Sequence, residues 1–252
     1  MLVRVEEEGG LAIGQLSHAW LSGQLARAWG NPRFGYVEPR EEVALGAEQH
    51  DVGWALFDLE PRLSAATGLP RSFLETSVEE HLTIWRGAPD RLRTQSLHAT
   101  LVVSMHASAL SELRASNAEE PDAAELREHA RQERARQEQL RGELGLTPAH
   151  AERTQRQMWT WDGLSLALCN AWRPFTSHDV PSAEGLVDVE LRDLDDGACT
   201  LTPWPFSSPR VRVRCEARRL ESRFEDEAAM RDAFARAPAL TLEWTFLDAE
   251  ST

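Results

Sequence analysis

The chain has 252 residues, 42% hydrophobic and 27% charged, which excludes disordered and fibrous classes and allows one large domain or two small ones. Its 27 basic residues, all arginine, face 41 acidic ones; the net charge of −14 repels phosphate backbones and anionic lipid, so neither nucleic acid nor a membrane is expected as a partner. No apolar run nears the roughly 20 residues of a spanning helix, the first ten residues lack a signal-peptide core, and Cys169, Cys199 and Cys215 are an odd number without metal-type spacing. A cytoplasmic protein acting on a small molecule is expected, with a homo-oligomer left open.

Residues 1–175 read as helical, because apolar positions recur at three and four residues and Ala, Leu, Glu, Gln and Arg dominate. On the first helix His18 falls at the edge of the stripe formed by Leu21, Leu25 and Ala28, and points inward. His50 and Asp51 close the next helix, with Gly53 as the chain break and Asp58 one to two turns later. His81 precedes a helix at 96–113, on which His98 lies in the middle of the stripe and His106 at its margin, both facing the interior. A charged segment at 119–144, opened by Asp122 as N-cap with Glu125 three residues on, reads as an inserted helix with a solvated face rather than a lid or partner helix. Thr147-Pro148 then opens a helix to about residue 172, on which Asp162 shares a face with Met158, Ser165, Cys169 and Trp172.

After Pro174 the character changes. Residues 175–185, with Pro181 and several serines, read as a linker. Residues 186–252 read as a small β-rich region packed on the body, with strands at 186–191, 199–203, 211–216 and 240–247 and a short helix at 225–235. The fold expected is mainly α: a helical bundle with a small C-terminal α+β tail.

A carboxylate on an apolar stripe is rarely buried unless paired or bound to a metal, which singles out Asp162. One inward histidine is more often a hydrogen-bonded core residue than a ligand. Several helices each contributing one inward nitrogen or oxygen, however, is the pattern of a metal site in a helical core. Imidazole and carboxylate donors without thiolates suit Mn, Fe, Zn or Mg. His178-Asp179 repeats the His-Asp dipeptide in a loop and reads as coincidence.

The order His18, His50-Asp51, Asp162 looks like that of the HD-domain superfamily of metal-dependent phosphohydrolases. More closely, the runs around His18, His50-Asp51-x-Gly53-Trp54, Ser104-x-His106, Trp161-Asp162-x-Leu-Ser165 and Pro203-Trp204-Pro205-Phe206 resemble a bacterial family of unknown function over nearly the whole chain. The first resemblance implies an HD-like body in which His18, His50, Asp51 and Asp162 bind a divalent metal (Mn, Fe, Zn, Ni or Mg). It places His81 and His106, with His98 as an alternative for either, where members with two metals have further histidines. Asp51, His81 and His106 would then take part in catalysis, and the substrate would be a phosphoester or nucleotide-like small molecule attacked by a metal-activated water. Two further readings accompany it: an HD-type di-iron oxygenase, and a non-catalytic metal- or ligand-binding protein whose β-rich tail mediates binding or oligomerisation.

Overall fold

The computed structural model describes residues 1–195 and 197–249. About 49% of the chain is helical and 21% strand, so the mainly α bundle expected from the sequence is corrected to an α/β fold built on one curled, half-barrel sheet. The strands are β1 (Leu2–Val5), β2 (Gly10–Ile13), β3 (Phe175–Ser182), β4 (Gly185–Asp193), β5 (Cys199–Thr202), β6 (Arg210–Leu220) and β7 (Ala239–Leu247). They lie in the order β1-β2-β6-β7-β5-β4-β3, antiparallel except where β5 meets β7. The sheet therefore draws on both ends of the sequence, and residues before the first helix complete it.

Three strands escaped sequence reading for identifiable reasons. β1 and β2 have four residues each and are joined by an acidic turn closed by Glu6 N–H donating to the Gly9 carbonyl at 2.9 Å, too short to establish a period of two. β3, read as a linker, is one of the two edge strands. Pro181 is tolerated on such an edge. The register shifts between Ser177 and Val180, where Asp179 takes a φ of +57°. That bulge turns His178 outward to pair with Asp188 at 3.0 Å, which accounts for the second His-Asp dipeptide.

The helices are α1 (Gln15–Ala28), α2 (Arg40–Glu48), α3 (Ala55–Leu59), α4 (Val78–Trp85), α5 (Leu97–Ala115), α6 (Asp122–Leu144), α7 (Pro148–Asn170) and α8 (Glu227–Arg236). Thr147 caps α7 through its side chain, accepting from His150 N–H, whereas Asp122 is the first residue of α6 and not its cap. α6 has the solvated face expected of it, with Arg127, Glu128, Arg131 and Arg134 exposed, but its opposite face is buried. Ala123, Leu126, Ala130 and Leu140 are buried at three- and four-residue spacing against α5, and the same face buries Glu133, whose carboxylate accepts from Ser104 Oγ at 2.7 Å.

The rotation of α1 is fixed by the sheet. β2 pairs only with residues 218–220 of β6, which leaves backbone groups further along that edge to be satisfied. Side chains of α1 do this: Ser17 Oγ donates to the Glu216 carbonyl at 2.7 Å and accepts from its N–H at 2.8 Å, and Gln24 does the same with Arg214 at 2.8 and 3.0 Å. Ser17 and Gln24, seven residues apart, share one helix face, so the neighbouring face bearing His18, Leu21, Ser22 and Leu25 turns into the core. The main core joins Leu21, Leu25, Trp29 and Trp161 to Phe206 and Phe246 of the sheet region, while a smaller cluster around Trp54, Ile84 and Trp85 backs the site.

Candidate metal centre

Five of the residues singled out in the sequence converge. His18 comes from α1, His50 and Asp51 from the turn after α2, His106 from α5 and Asp162 from α7, and all five are buried. The donor atoms of His18, His50 and Asp162 lie within 4.8 Å of one another, as do those of His50, Asp51 and His106. The individual distances are short: His18 Nε2 to Asp51 Oδ2 is 2.6 Å, His50 Nε2 to Asp51 Oδ2 is 3.6 Å, and His50 Nε2 to Asp162 Oδ1 is 3.4 Å.

The turn that presents His50 and Asp51 is tied down on both sides. His50 Nδ1 donates to the Ala47 carbonyl at 2.8 Å, satisfying one of the orphan acceptors at the end of α2. That bond spends the Nδ1 proton and leaves Nε2 as the nitrogen facing the carboxylates. After Asp51 the chain makes a 3₁₀ turn, Val52–Trp54. Gly53 is needed there for space and not as a left-handed break: a Cβ would lie 2.3 Å from the Ile84 carbonyl oxygen. Gly23 serves α1 likewise, since a Cβ would lie 2.6 Å from Glu48 Cβ.

His18 is oriented by a residue whose role the sequence reading did not identify. Ser22 Oγ donates to Ser165 Oγ at 2.9 Å, and Ser165 Oγ donates to the Asp162 carbonyl at 2.8 Å. With its proton so committed, Ser165 accepts from His18 Nδ1–H at 2.8 Å. His18 Nε2 then meets the Asp51 carboxylate at 2.6 Å, hydrogen-bond distance. Ser165 lies one turn beyond Asp162, so its spacing signalled a shared face but not a bond to α1.

The buried charges act strongly on one another. Burial disfavours a charged His50, yet the Asp51 and Asp162 carboxylates outweigh it and raise its pKa to about 9. Asp162 and Asp51 are also deeply buried, and the neighbouring histidines nevertheless hold both carboxyls below the usual range. His106 goes the other way: burial and the nearby His50 lower it to about 4. A divalent ion would answer the same excess of buried acceptors. At ligand distances of about 2.0–2.2 Å two donors on one ion stand roughly 3–3.5 Å apart, close to the separations from His50 Nε2. That nitrogen and His106 Nδ1 are buried without a hydrogen-bond partner.

His81 stands apart from both donor groups. Its Nε2 meets Ser111 Oγ at 3.1 Å, and Ser111 in turn meets His129 Nδ1 at 2.9 Å, a relay from α4 through α5 to α6. It still lines the same cavity, of about 330 Å³, as His18, Asp51, His106 and Asp162. His98 does not face the interior as expected; it is half-exposed on the first turn of α5, among Glu42 and His150. Asp58 is used structurally, accepting from Gln15 N–H at 2.5 Å and pairing with the N-terminus at 3.4 Å. Of the tryptophans near the site in sequence, Trp54 and Trp85 wall the cavity, Trp29 is core and Trp20 stacks under Arg214. A larger groove of about 690 Å³ between α5, α7 and β3 contains none of the five converging donors.

No helix among the described residues is long and apolar enough to cross a membrane. No curated protein and no solved structure matches the chain, and nothing in these comparisons links it to the HD-domain superfamily. One family model does match, over residues 1–222, and by that match the chain belongs to the family described as "Protein of unknown function (DUF3891)".

Proposed function

We propose that this protein is a metal-dependent hydrolase of small phosphoesters, with one divalent cation held by His18, His50, Asp51 and Asp162. The observation that carries the reading is the meeting of two carboxylates with His50 Nε2, a buried nitrogen that lacks a hydrogen-bond partner and whose other nitrogen is already committed to the fold. The HD-domain likeness adds the order of the four ligand residues and nothing about the fold. When bound, a divalent cation supplies a polarised phosphoryl oxygen and a water of lowered pKa.

The chain's own residues have the remaining tasks. Ser165 and Ala47 hold the two imidazoles in one tautomer. His106, edge-on 4.7 Å from the His50 ring, lines the cavity beside the donors, its Nδ1 buried without a hydrogen-bond partner. Trp54 and Trp85 form part of the cavity's apolar wall. Overall the water oxygen joins phosphorus, the ester P–O bond breaks, and the leaving oxygen departs as an alcohol with one of the water protons. With His81 engaged by Ser111, the six-ligand di-iron alternative lacks one of its donors.

The direct assay is release of inorganic phosphate from a panel of aryl and alkyl phosphomonoesters by Mn- or Zn-reconstituted protein, beside Asp162→Asn. Turnover that is lost in the variant supports the reading. Absence of phosphate release from every ester, at full metal occupancy, rejects it.

A further inference from the structure

The cavity beside the donor cluster runs along α5. Its wall includes His106, Leu110 and Arg114 of that helix and Asn117 just beyond its end, and at 1.5 Å per residue the eight steps from His106 to Arg114 cover about 12 Å of helix axis. The metal-ligand candidates are at the His106 end. At the other end Arg114 donates to Thr76 Oγ1 at 3.0 Å and to the Thr76 carbonyl. The wall is mostly apolar, with Trp54, Phe73, Trp85 and Leu110, and also includes Gln15 and His81.

Arg114 is half-buried, and among the described residues no carboxylate lies within ion-pair distance of it. Glu80, the acid that acts on it most, is committed to Arg62 and Arg71 at 2.8 and 2.5 Å. A guanidinium has five donors in a planar fork that matches a carboxylate or phosphate, and here two of its nitrogens are bound only to Thr76. A partly desolvated cation with Glu80 and Asp122 acting on it only from beyond ion-pair distance, placed at the end of a mostly apolar cavity, is satisfied best by an anion brought in by the ligand.

We infer that Arg114 binds the anionic tail of the substrate, so that the cavity takes a small ester with an apolar body, its phosphoryl group at the His50 end and a second anionic group, carboxylate or phosphate, at the Arg114 end. The phosphoryl half of this statement rests on the hydrolase reading above; the Arg114 half does not.

Calorimetric titration separates the two. The probes are 4-(2-carboxyethyl)phenylphosphonate, the 4-propylphenylphosphonate that lacks the carboxylate, and 3-phenylpropionate, which lacks the phosphonate. Metal-loaded wild type is expected to bind the carboxylated phosphonate about tenfold more tightly than its propyl analogue. Arg114→Gln should erase that preference and Arg114→Lys should restore part of it, with circular dichroism and urea midpoints verifying the fold of both. Equal affinity for the two phosphonates in wild type, or a preference that persists in Arg114→Gln, overturns the inference while leaving the hydrolase reading intact. Conversely, binding of 3-phenylpropionate that Arg114→Gln abolishes, with no phosphonate bound, upholds the Arg114 end and rejects the phosphoryl end. Binding of none of the three probes overturns both.

Discussion

His18 and His50 each have Nδ1 engaged by the fold, and that commitment leaves Nε2 as the nitrogen that faces the Asp51 carboxylate. For His50 the partner is a backbone carbonyl and for His18 a serine hydroxyl, itself fixed by Ser22. Partners of this kind set ligand tautomer and basicity, and removing one typically weakens metal binding by roughly 10–100-fold. Ser165→Ala is therefore expected to raise the metal dissociation constant, measured by chelator competition, by about that factor; an unchanged constant would show that Ser165 does not orient His18. His129 offers a separate test. Burial, helped by the positive charges of Arg86 and Arg136, lowers its pKa to about 4. In the unfolded chain a histidine takes up its proton near pH 6.5, so below that pH the unfolded state binds the extra proton and folding stability falls until the folded pKa is reached. Above pH 6.5 both states are neutral and the group contributes no pH dependence. Relative to His129→Gln, wild type should lose about 1.4 kcal/mol of unfolding free energy between pH 7.5 and 5.5. A difference independent of pH in urea titrations would mean that His129 takes up its proton in the fold as it does in the unfolded chain.

At the scale of elements, what was legible and what was not divides by length and by the character of the buried face. The helices carrying His18, His106 and Asp162 have long apolar stripes, and their inward residues could be read from a period of 3.6. α6 hid its buried face because Glu133 and Gln137 interrupt it, and both are satisfied by serines on α5 that no local pattern announces. β1 and β2 were lost to brevity and β3 to an edge proline and a bulge. The His50-Asp51 turn was found, but for a different reason than its glycine suggested: Gly53 is there for the approach of the Ile84 carbonyl. Gly53→Ala should accordingly destabilise the protein by about 2 kcal/mol or more, because neither backbone can give way cheaply. It should also disturb the position of Asp51. A urea midpoint equal to that of wild type would remove the steric account of this turn.

For the whole molecule, the sheet is the frame that the sequence alone did not reveal, since pairing of β2 with β6 joins segments some 200 residues apart and leaves no local trace. That frame fixes α1 through Ser17 and Gln24 and thereby turns His18 towards donors from three other segments. The donors themselves were legible because imidazoles and a carboxylate on apolar stripes are chemically conspicuous wherever the chain later takes them; Arg114 was not, since an arginine near a helix end in an arginine-rich chain carries no such signal. The account stands on the convergence of His18, His50, Asp51 and Asp162 as one cation site. Elemental analysis of purified protein by inductively coupled plasma mass spectrometry, wild type beside His50→Ala, tests it most directly. One equivalent of Mn, Fe, Zn or Ni per chain in wild type, and its loss from a folded His50→Ala, is the predicted result. No metal in wild type after reconstitution, or full metal retained by the variant, would contradict it.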